Sequence, residues 1–261
     1  MPEKMTAPRF RQSKAEGRRL VCLTAYDVAS AEMADNAGVD MVLVGDSLGN
    51  VVLGHRTTLP VTMADIVHHL GAVRRGVRKA LLVADLPFGS YQVSTEAGVR
   101  NAVTLMQAGA DAVKLEGDYP EVVAQLVRAG IPTMGHVGMT PQSVHQFGGF
   151  RVQGRDEAAE SVLAVATALE QAGAFGVVLE LIPATLAQKL TELLSIPTIG
   201  IGAGPHCDGQ IQVWHDVLGL GGKVHRHAKA YLEGRALMEQ ALREYSDEVR
   251  DAHFPTEDHS F

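Results

Sequence analysis

Three stretches of the chain repeat one design: DNAGVDMVLVGD at 35–46, MQAGADAVKLEGD at 106–118 and EQAGAFGVVLE at 170–180. Each closes a helical pattern on Ala-Gly, where glycine accepts the left-handed conformation of a helix end, then runs through a short apolar, β-branched strand to an acidic residue. Two more, AGIPTMGH at 129–136 and LSIPTIGIG at 194–202, enter their strands through Ile-Pro, a position where proline forfeits no ladder hydrogen bond. A helix that ends where a strand begins, repeated along the chain, restricts it to the α/β class.

Helix starts fill the intervals. Thr62 precedes MADIVHHLGAVRRG with Asp65 in its first turn, Ser94 or Thr95 precedes EAGVRNAVTLMQ, and Asp118 precedes YPEVVAQLVRAG. Strands are expected at 21–25, 41–45, 80–85, 112–116, 132–136, 175–180, 197–201 and 211–217. Eight strands alternating with helices in 261 residues favour a (β/α)8 TIM barrel, with an open doubly wound sheet as the topological alternative. Residues 1–261 then form a single barrel domain with an N-terminal extension over 1–19 and a C-terminal helix and tail over 227–261. The segment 138–156 exceeds the usual βα loop of about 2–6 residues and is a lid candidate.

Composition narrows the partners. Hydrophobic residues make up 46% and charged residues 20% of the chain, which describes a globular core rather than a disordered or coiled-coil protein. Acidic residues outnumber basic ones by 30 to 23, and a net charge of −7 argues against nucleic acid as a partner. Cys22 and Cys207 have no spacing for a disulfide framework or a thiolate zinc site and are expected as buried free thiols. The basic N-terminus has no signal-like apolar run behind it and no stretch approaches about 18 apolar residues, so a cytoplasmic protein without a membrane partner is expected.

In closed α/β barrels the chemistry sits where strands end. Here the second strand ends in Asp46-Ser47, the third in Asp85, the fourth in Lys114 and Glu116, the fifth in His136, the sixth in Glu180, and the seventh in a glycine loop. Strand alternation puts Lys114 and Glu116 on one face. On a surface strand they would form a solvated pair, whereas on an inward face two ions cost several kcal/mol each unless the site offsets it. With neighbouring strands about 4.8 Å apart, Asp46, Asp85 and Glu116 converge on one side of the mouth. Proton uptake or a bound cation relieves their repulsion, and an oxygen-only donor set suits a hard ion such as Mg²⁺. Three carboxylates, one divalent ion and Lys114 sum to about zero, which leaves room for an anionic ligand.

Blander roles compete. An Asp at a strand end can cap a helix, His136 can be a hydrogen-bonded structural histidine, and Glu180 can be a base or can cap the helix that starts at Pro183. GIGAG at 200–204 can be a phosphate nest or a tight turn. His215, His225 and His227 have no supporting carboxylate or thiol spacing, so solvated or interface roles fit them better than zinc.

The motifs LTAYD, VGDSLGNVVLGHRTTLPVTMADIVHH, ADLPFGSY, AVKLEG, GHVGMTPQS, GGFRVQGR, VVLELIP and GIGAGPHCDGQIQVWHD together resemble the 3-methyl-2-oxobutanoate (ketopantoate) hydroxymethyltransferase family of pantothenate biosynthesis. The resemblance runs from about Thr24 to Phe254. It implies a phosphoenolpyruvate-mutase-like barrel, a Mg²⁺ ion at Asp46, Asp85 and Glu116, and a 2-oxo acid held by Asp46, Ser47, Asp85 and Lys114 with His136 nearby. It also implies Glu180 as proton acceptor, the reduced folate 5,10-methylenetetrahydrofolate as one-carbon donor, and a homo-oligomer, commonly a decamer. The run GGKVHRHAKAYLEGRALMEQ at 221–240 departs from the family's usual Lys-Phe-Val-Lys type pattern. Competing functions are a lyase or mutase of the same superfamily, whose Lys-Lys-Cys-Gly-His type loop is absent here, and a non-catalytic metal- or anion-binding barrel.

Overall fold

The computed structural model describes residues 3–221 and 225–261, in two compact units, Met1–Val213 and Trp214–Phe261. In the first, strands β1 Leu20–Thr24, β2 Met41–Val44, β3 Leu81–Asp85, β4 Ala112–Lys114, β5 Thr133–Gly138, β6 Gly176–Glu180, β7 Thr198–Ile201 and β8 Gly209–Gln212 form a closed parallel barrel. β1 pairs with β8 through Leu20 opposite Gly209 and Cys22 opposite Ile211, which excludes the open sheet. Helices α1 Ala7–Ala15, α2 Val28–Asn36, α3 Leu48–Val51, α4 Met63–Gly76, α5 Thr95–Gln107, α6 Pro120–Arg128, α7 Ala158–Gln171 and α8 Ala184–Leu193 belong to this unit. The second unit carries α9 Trp214–Val217 and α10 Gly234–Arg250.

The repeat has a structural cause. Asp40, ahead of β2, accepts a hydrogen bond from Val21 N–H at 2.9 Å, and Asp111, ahead of β4, accepts one from Leu82 N–H at 3.0 Å. Asp208 does the same for Thr198 N–H at 2.8 Å ahead of β8. Each aspartate thus ties the start of its strand to the preceding one. The third repeat carries Phe175 at the corresponding place, and this ring meets Phe10 of α1 edge-on with centroids 5.7 Å apart. The N-terminal extension is therefore a helix that buries Ala7 and Phe10 in the same core cluster as Leu20, Met41, Leu81 and Ile199 of the barrel interior. Phe10→Ala is expected to cost about 3–5 kcal/mol of stability, the range for emptying a buried aromatic site. Urea unfolding would show it as a lower midpoint with an unchanged slope.

Start signals at Thr62 and Ser94 hold: both side chains accept from the third residue of their helix, and Thr62 forms a full capping box with Asp65. Strand ends shift by one or two residues, β4 stopping at Lys114 instead of 116 and β5 running to Gly138 instead of 136, and three further boundaries differ. α6 has Tyr119, not Asp118, at its cap, because Pro120 supplies the first helical turn without needing a donor cap. The eighth strand ends at Gln212 instead of 217, and residues 214–217 turn helically with Leu218 N–H donating to Trp214 O at 3.1 Å; so short an apolar run satisfies either period. The terminal helix starts at Gly234 rather than 227, because Tyr231 and Gly234 N–H are bonded to Val217 and Leu218 carbonyls at 2.8 and 2.9 Å. Within the divergent run 221–240, residues 222–224 lie outside the described residues. Cys22 and Cys207 are buried and free, as expected. Among the described residues no helix is long and apolar enough to cross a membrane.

Candidate active site

The alternation that buries Leu81, Val83, Ala112, Met134 and Val178 in the barrel cluster carries Asp85, Lys114, Glu116, His136 and Glu180 onto the same inner face one or two steps later. Asp85 stands opposite Lys114, and Glu180 opposite Gly138, in the strand register. Gly138 has φ +94°, and a Cβ there would lie 2.3 Å from Glu180 O, so only glycine lets β5 close against the end of β6 at this point.

Lys114 Nζ is 2.9 Å from Asp85 Oδ1, 3.8 Å from Glu116 Oε1 and 3.3 Å from His136 Nδ1. His136 bridges the two glutamates, with Nδ1 3.3 Å from Glu116 Oε1 and Nε2 3.3 Å from Glu180 Oε2. Asp46 joins through its backbone N–H, which donates to Asp85 Oδ2 at 3.0 Å. Asp46, Asp85, Lys114, Glu116 and His136 are at most 4% exposed, whereas the Glu180 side chain is 16% exposed. Lys114 and Glu116 therefore face the interior and are no surface pair. Glu180 does not cap α8, which has no side-chain cap, and Asp46 does not cap α3, whose N-cap residue is Ser47. Ser47 itself is half-buried and its Oγ lies 2.8 Å from Tyr26 Oη.

The electrostatics record a shortage of positive charge. Burial raises the Asp46 carboxyl well above its usual range, and Glu116 and Asp85 push it further; burial also raises Asp85, against the pull of Lys114. Burial opposes charge on Glu116, but His136 and Lys114 outweigh it and hold that carboxyl low. Burial likewise opposes charge on Lys114, and Asp85, Glu116 and Asp46 overcome it, keeping the ammonium above its ordinary range. Burial and Lys114 both work against a charged His136, yet Glu116 and Glu180 raise it to about 9. With both cations charged, four carboxylates (Asp46, Asp85, Glu116, Glu180) face two positive groups. Fully ionised, the four carboxylates carry two more charges than Lys114 and His136 balance, the charge of one divalent ion. Among the described residues no three His, Cys, Asp or Glu side chains stand as a finished metal cage, around these carboxylates or around His215, His225 and His227.

The sequence pattern passed over Tyr26, Tyr91 and Gln142. Tyr91 Oη accepts from Glu116 N–H at 3.0 Å and lies 2.9 Å from Glu116 O, and Gln142 N–H donates to Glu116 Oε2 at 3.0 Å. As neutral groups they leave no charge signature; only their places in loops just behind β1, β3 and β5 mark them. Of the lid candidate 138–156, Met139, Thr140, Gln142 and Val144 are buried, while Phe150 and Val152 farther along are exposed. In the GIGAG loop the glycines serve close packing: a Cβ at Gly204 would sit 2.5 Å from Ala184 Cβ, and one at Gly200 2.9 Å from Cys207 Sγ.

The closed parallel barrel of this chain is similar in fold to solved structures of the PEP mutase/isocitrate lyase type. A solved 2,3-dimethylmalate lyase described as a PEP mutase/isocitrate lyase superfamily member aligns with a TM-score of 0.62 at 17% identity, over 98% of this chain and 91% of the other. A phosphonopyruvate hydrolase in complex with oxalate and Mg²⁺ aligns with a TM-score of 0.62 at 15% identity, over 97% and 93%. Within that fold the chain belongs to the ketopantoate hydroxymethyltransferase family, which matches residues 4–257. Curated relatives named 3-methyl-2-oxobutanoate hydroxymethyltransferase include one from Cyanothece sp., 55% identical over 256 residues and covering 96% of this chain and 98% of its own. Another, from Thermus thermophilus, is 53% identical over 260 residues, covering 98% and 99%.

Proposed function

We propose that this protein makes 2-dehydropantoate (ketopantoate) and tetrahydrofolate from 3-methyl-2-oxobutanoate, 5,10-methylenetetrahydrofolate and water, a step toward pantothenate. Family membership over nearly the whole length supports the reaction. The single structural observation that carries the mechanism is Glu180, the most open acid of the cluster, held by His136 Nε2 at 3.3 Å. Glu180 accepts the C3 proton of the 2-oxo acid, and the imidazole keeps that carboxylate aimed at the mouth. Lys114 pairs with the substrate carboxylate and Ser47 adds a hydroxyl donor beside Asp46. Water breaks both C–N bonds of the folate's methylene bridge, releasing that carbon at the formaldehyde level and returning tetrahydrofolate; C3 then bonds to it, and its oxygen takes up a proton to become the hydroxyl of the new hydroxymethyl group.

Asp46, Asp85 and Glu116 would hold Mg²⁺, which when bound supplies Lewis acidity favouring loss of the C3 proton. The all-oxygen donor set and the two-charge deficit support this assignment. Mg²⁺ keeps water or substrate oxygens among its ligands, so three carboxylates need not complete its shell. The same reading keeps the cytoplasmic location, and it keeps a homo-oligomer, a decamer by resemblance. The oligomer is supported by the exposed α10 stripe Met238, Leu242, Tyr245 and Val249, which recurs at helical spacing.

Consumption of 3-methyl-2-oxobutanoate by the purified protein tests the reaction. It should require the folate; consumption without folate would assign lyase chemistry instead. Lys114→Met is expected to weaken 2-oxo acid binding by about 10- to 100-fold, the worth of a charge-assisted hydrogen bond. Metal affinity should stay or rise, because a cation beside the ion is gone. Calorimetric titration of each ligand separates this from misfolding, which would weaken both.

A further inference from the structure

Gln142 sits on the single turn Pro141–Ser143 behind β5 and is 5% exposed. Its amide is saturated. Nε2 donates to Asp46 Oδ2 at 2.9 Å and to Leu86 O at 3.0 Å. Oε1 accepts from Tyr91 Oη and from Gln92 Nε2, each at 2.8 Å. The neighbours fix which end is which, since a reversed amide would set its oxygen against Leu86 O, which can only accept, and its N–H₂ against Gln92 Nε2, a donor because Gly89 N–H holds the oxygen end of Gln92. The backbone N–H of the same residue donates to Glu116 Oε2 at 3.0 Å. One residue thus grips one oxygen of Asp46, behind β2, and one oxygen of Glu116, behind β4, while bonding the chain just beyond β3 at Leu86.

We propose that Gln142 is a positioning residue for the divalent-cation site, setting Asp46 and Glu116 in place before the ion arrives. The proposal rests on the Mg²⁺ assignment above and goes beyond it by naming a residue that neither binds the ion nor touches the reacting atoms. Charge is the reason an amide serves here. A lysine or arginine could hold the Asp46 carboxylate equally well, but it would repel the incoming cation at short range. A neutral amide N–H restrains the same oxygen with no such opposition. An apolar residue would keep the backbone N–H on Glu116 but leave Asp46, buried and repelled by Glu116, without its side-chain restraint. Partners outside the ligand set typically change metal affinity by about 10- to 100-fold when removed.

Mn²⁺, counted as free ion by electron paramagnetic resonance, is the probe, titrated into full-length wild-type protein, Gln142→Leu and Gln92→Leu. Gln142→Leu keeps the bulk and the backbone N–H but loses the amide, so its Mn²⁺ dissociation constant should rise by about 10- to 100-fold. At saturating Mn²⁺, deuterium exchange at C3 of the keto acid should recover to within a few-fold of wild type, a split that general loss of structure would not produce. Gln92→Leu alters a half-buried residue and frees one end of the amide, so a smaller, few-fold weakening is expected and keeps the test open if Gln142→Leu does not fold. Wild-type uptake with unchanged affinity in the folded variants overturns this proposal and leaves the metal reading standing. A wild-type chain that takes up no Mn²⁺ overturns both.

Discussion

Glu180→Gln is expected to lose about 10²- to 10⁴-fold in the rate at which the protein exchanges the C3 proton of 3-methyl-2-oxobutanoate for deuterium. Binding of the metal and the keto acid should survive. The amide keeps the length and shape of the carboxylate and still stands beside His136 Nε2, which lies 3.3 Å from Glu180 Oε2. It cannot take a proton at neutral pH. Exchange needs no folate in this account, because Glu180 acts before the carbon–carbon bond forms, so NMR of the C3 methine in D₂O reads the half-reaction alone. Exchange at the wild-type rate in Glu180→Gln would pass the base to another group, with His136 the next candidate by distance.

Stripping divalent cations is expected to bring both exchange and turnover to the rate of buffer, with Mg²⁺ restoring them. The cluster explains the size of the effect. Two cationic side chains face four carboxylates, and the Asp46 and Asp85 carboxyls sit above their usual range in the metal-free chain. A carboxyl raised in the folded state contributes stability that is complete below its unfolded pKa and is lost as pH rises through the folded one. Ionising these carboxyls therefore costs folded-state stability, and a bound ion relieves that cost. Mg²⁺ at about 100 times its dissociation constant should add about 2.7 kcal/mol of stability, read as a higher melting temperature. Binding should also release protons, since the ligands must ionise fully. Full activity in demonstrably metal-free protein would contradict the assignment.

The barrel was legible because its repeat is strong: helix, Ala-Gly, strand, acid. The charged residues were legible for a different reason. Lys114 and Glu116 share the face of Ala112, and ions on an inward face demand an explanation. Boundaries were lost where elements are short, as at Gln212 and Trp214, because four residues do not distinguish a period of 2 from one of 3.6. The plug formed by Phe10 was invisible in PRFRQSK, where one aromatic among charges shows no amphipathic stripe. Gln142 and Tyr91 were hidden by neutrality. An amide in a Thr-Pro-Gln turn reads as ordinary loop chemistry until the fold sets it between Asp46 and Glu116.

Transfer of a labelled carbon tests the central claim most directly. Wild-type protein with Mg²⁺, 3-methyl-2-oxobutanoate and 5,10-methylenetetrahydrofolate carrying ¹³C in its methylene bridge should place the label in a hydroxymethyl group on C3 of the keto acid, seen by ¹³C NMR as one new resonance. A label that stays on the folate while the keto acid is cleaved or left unchanged would contradict the account.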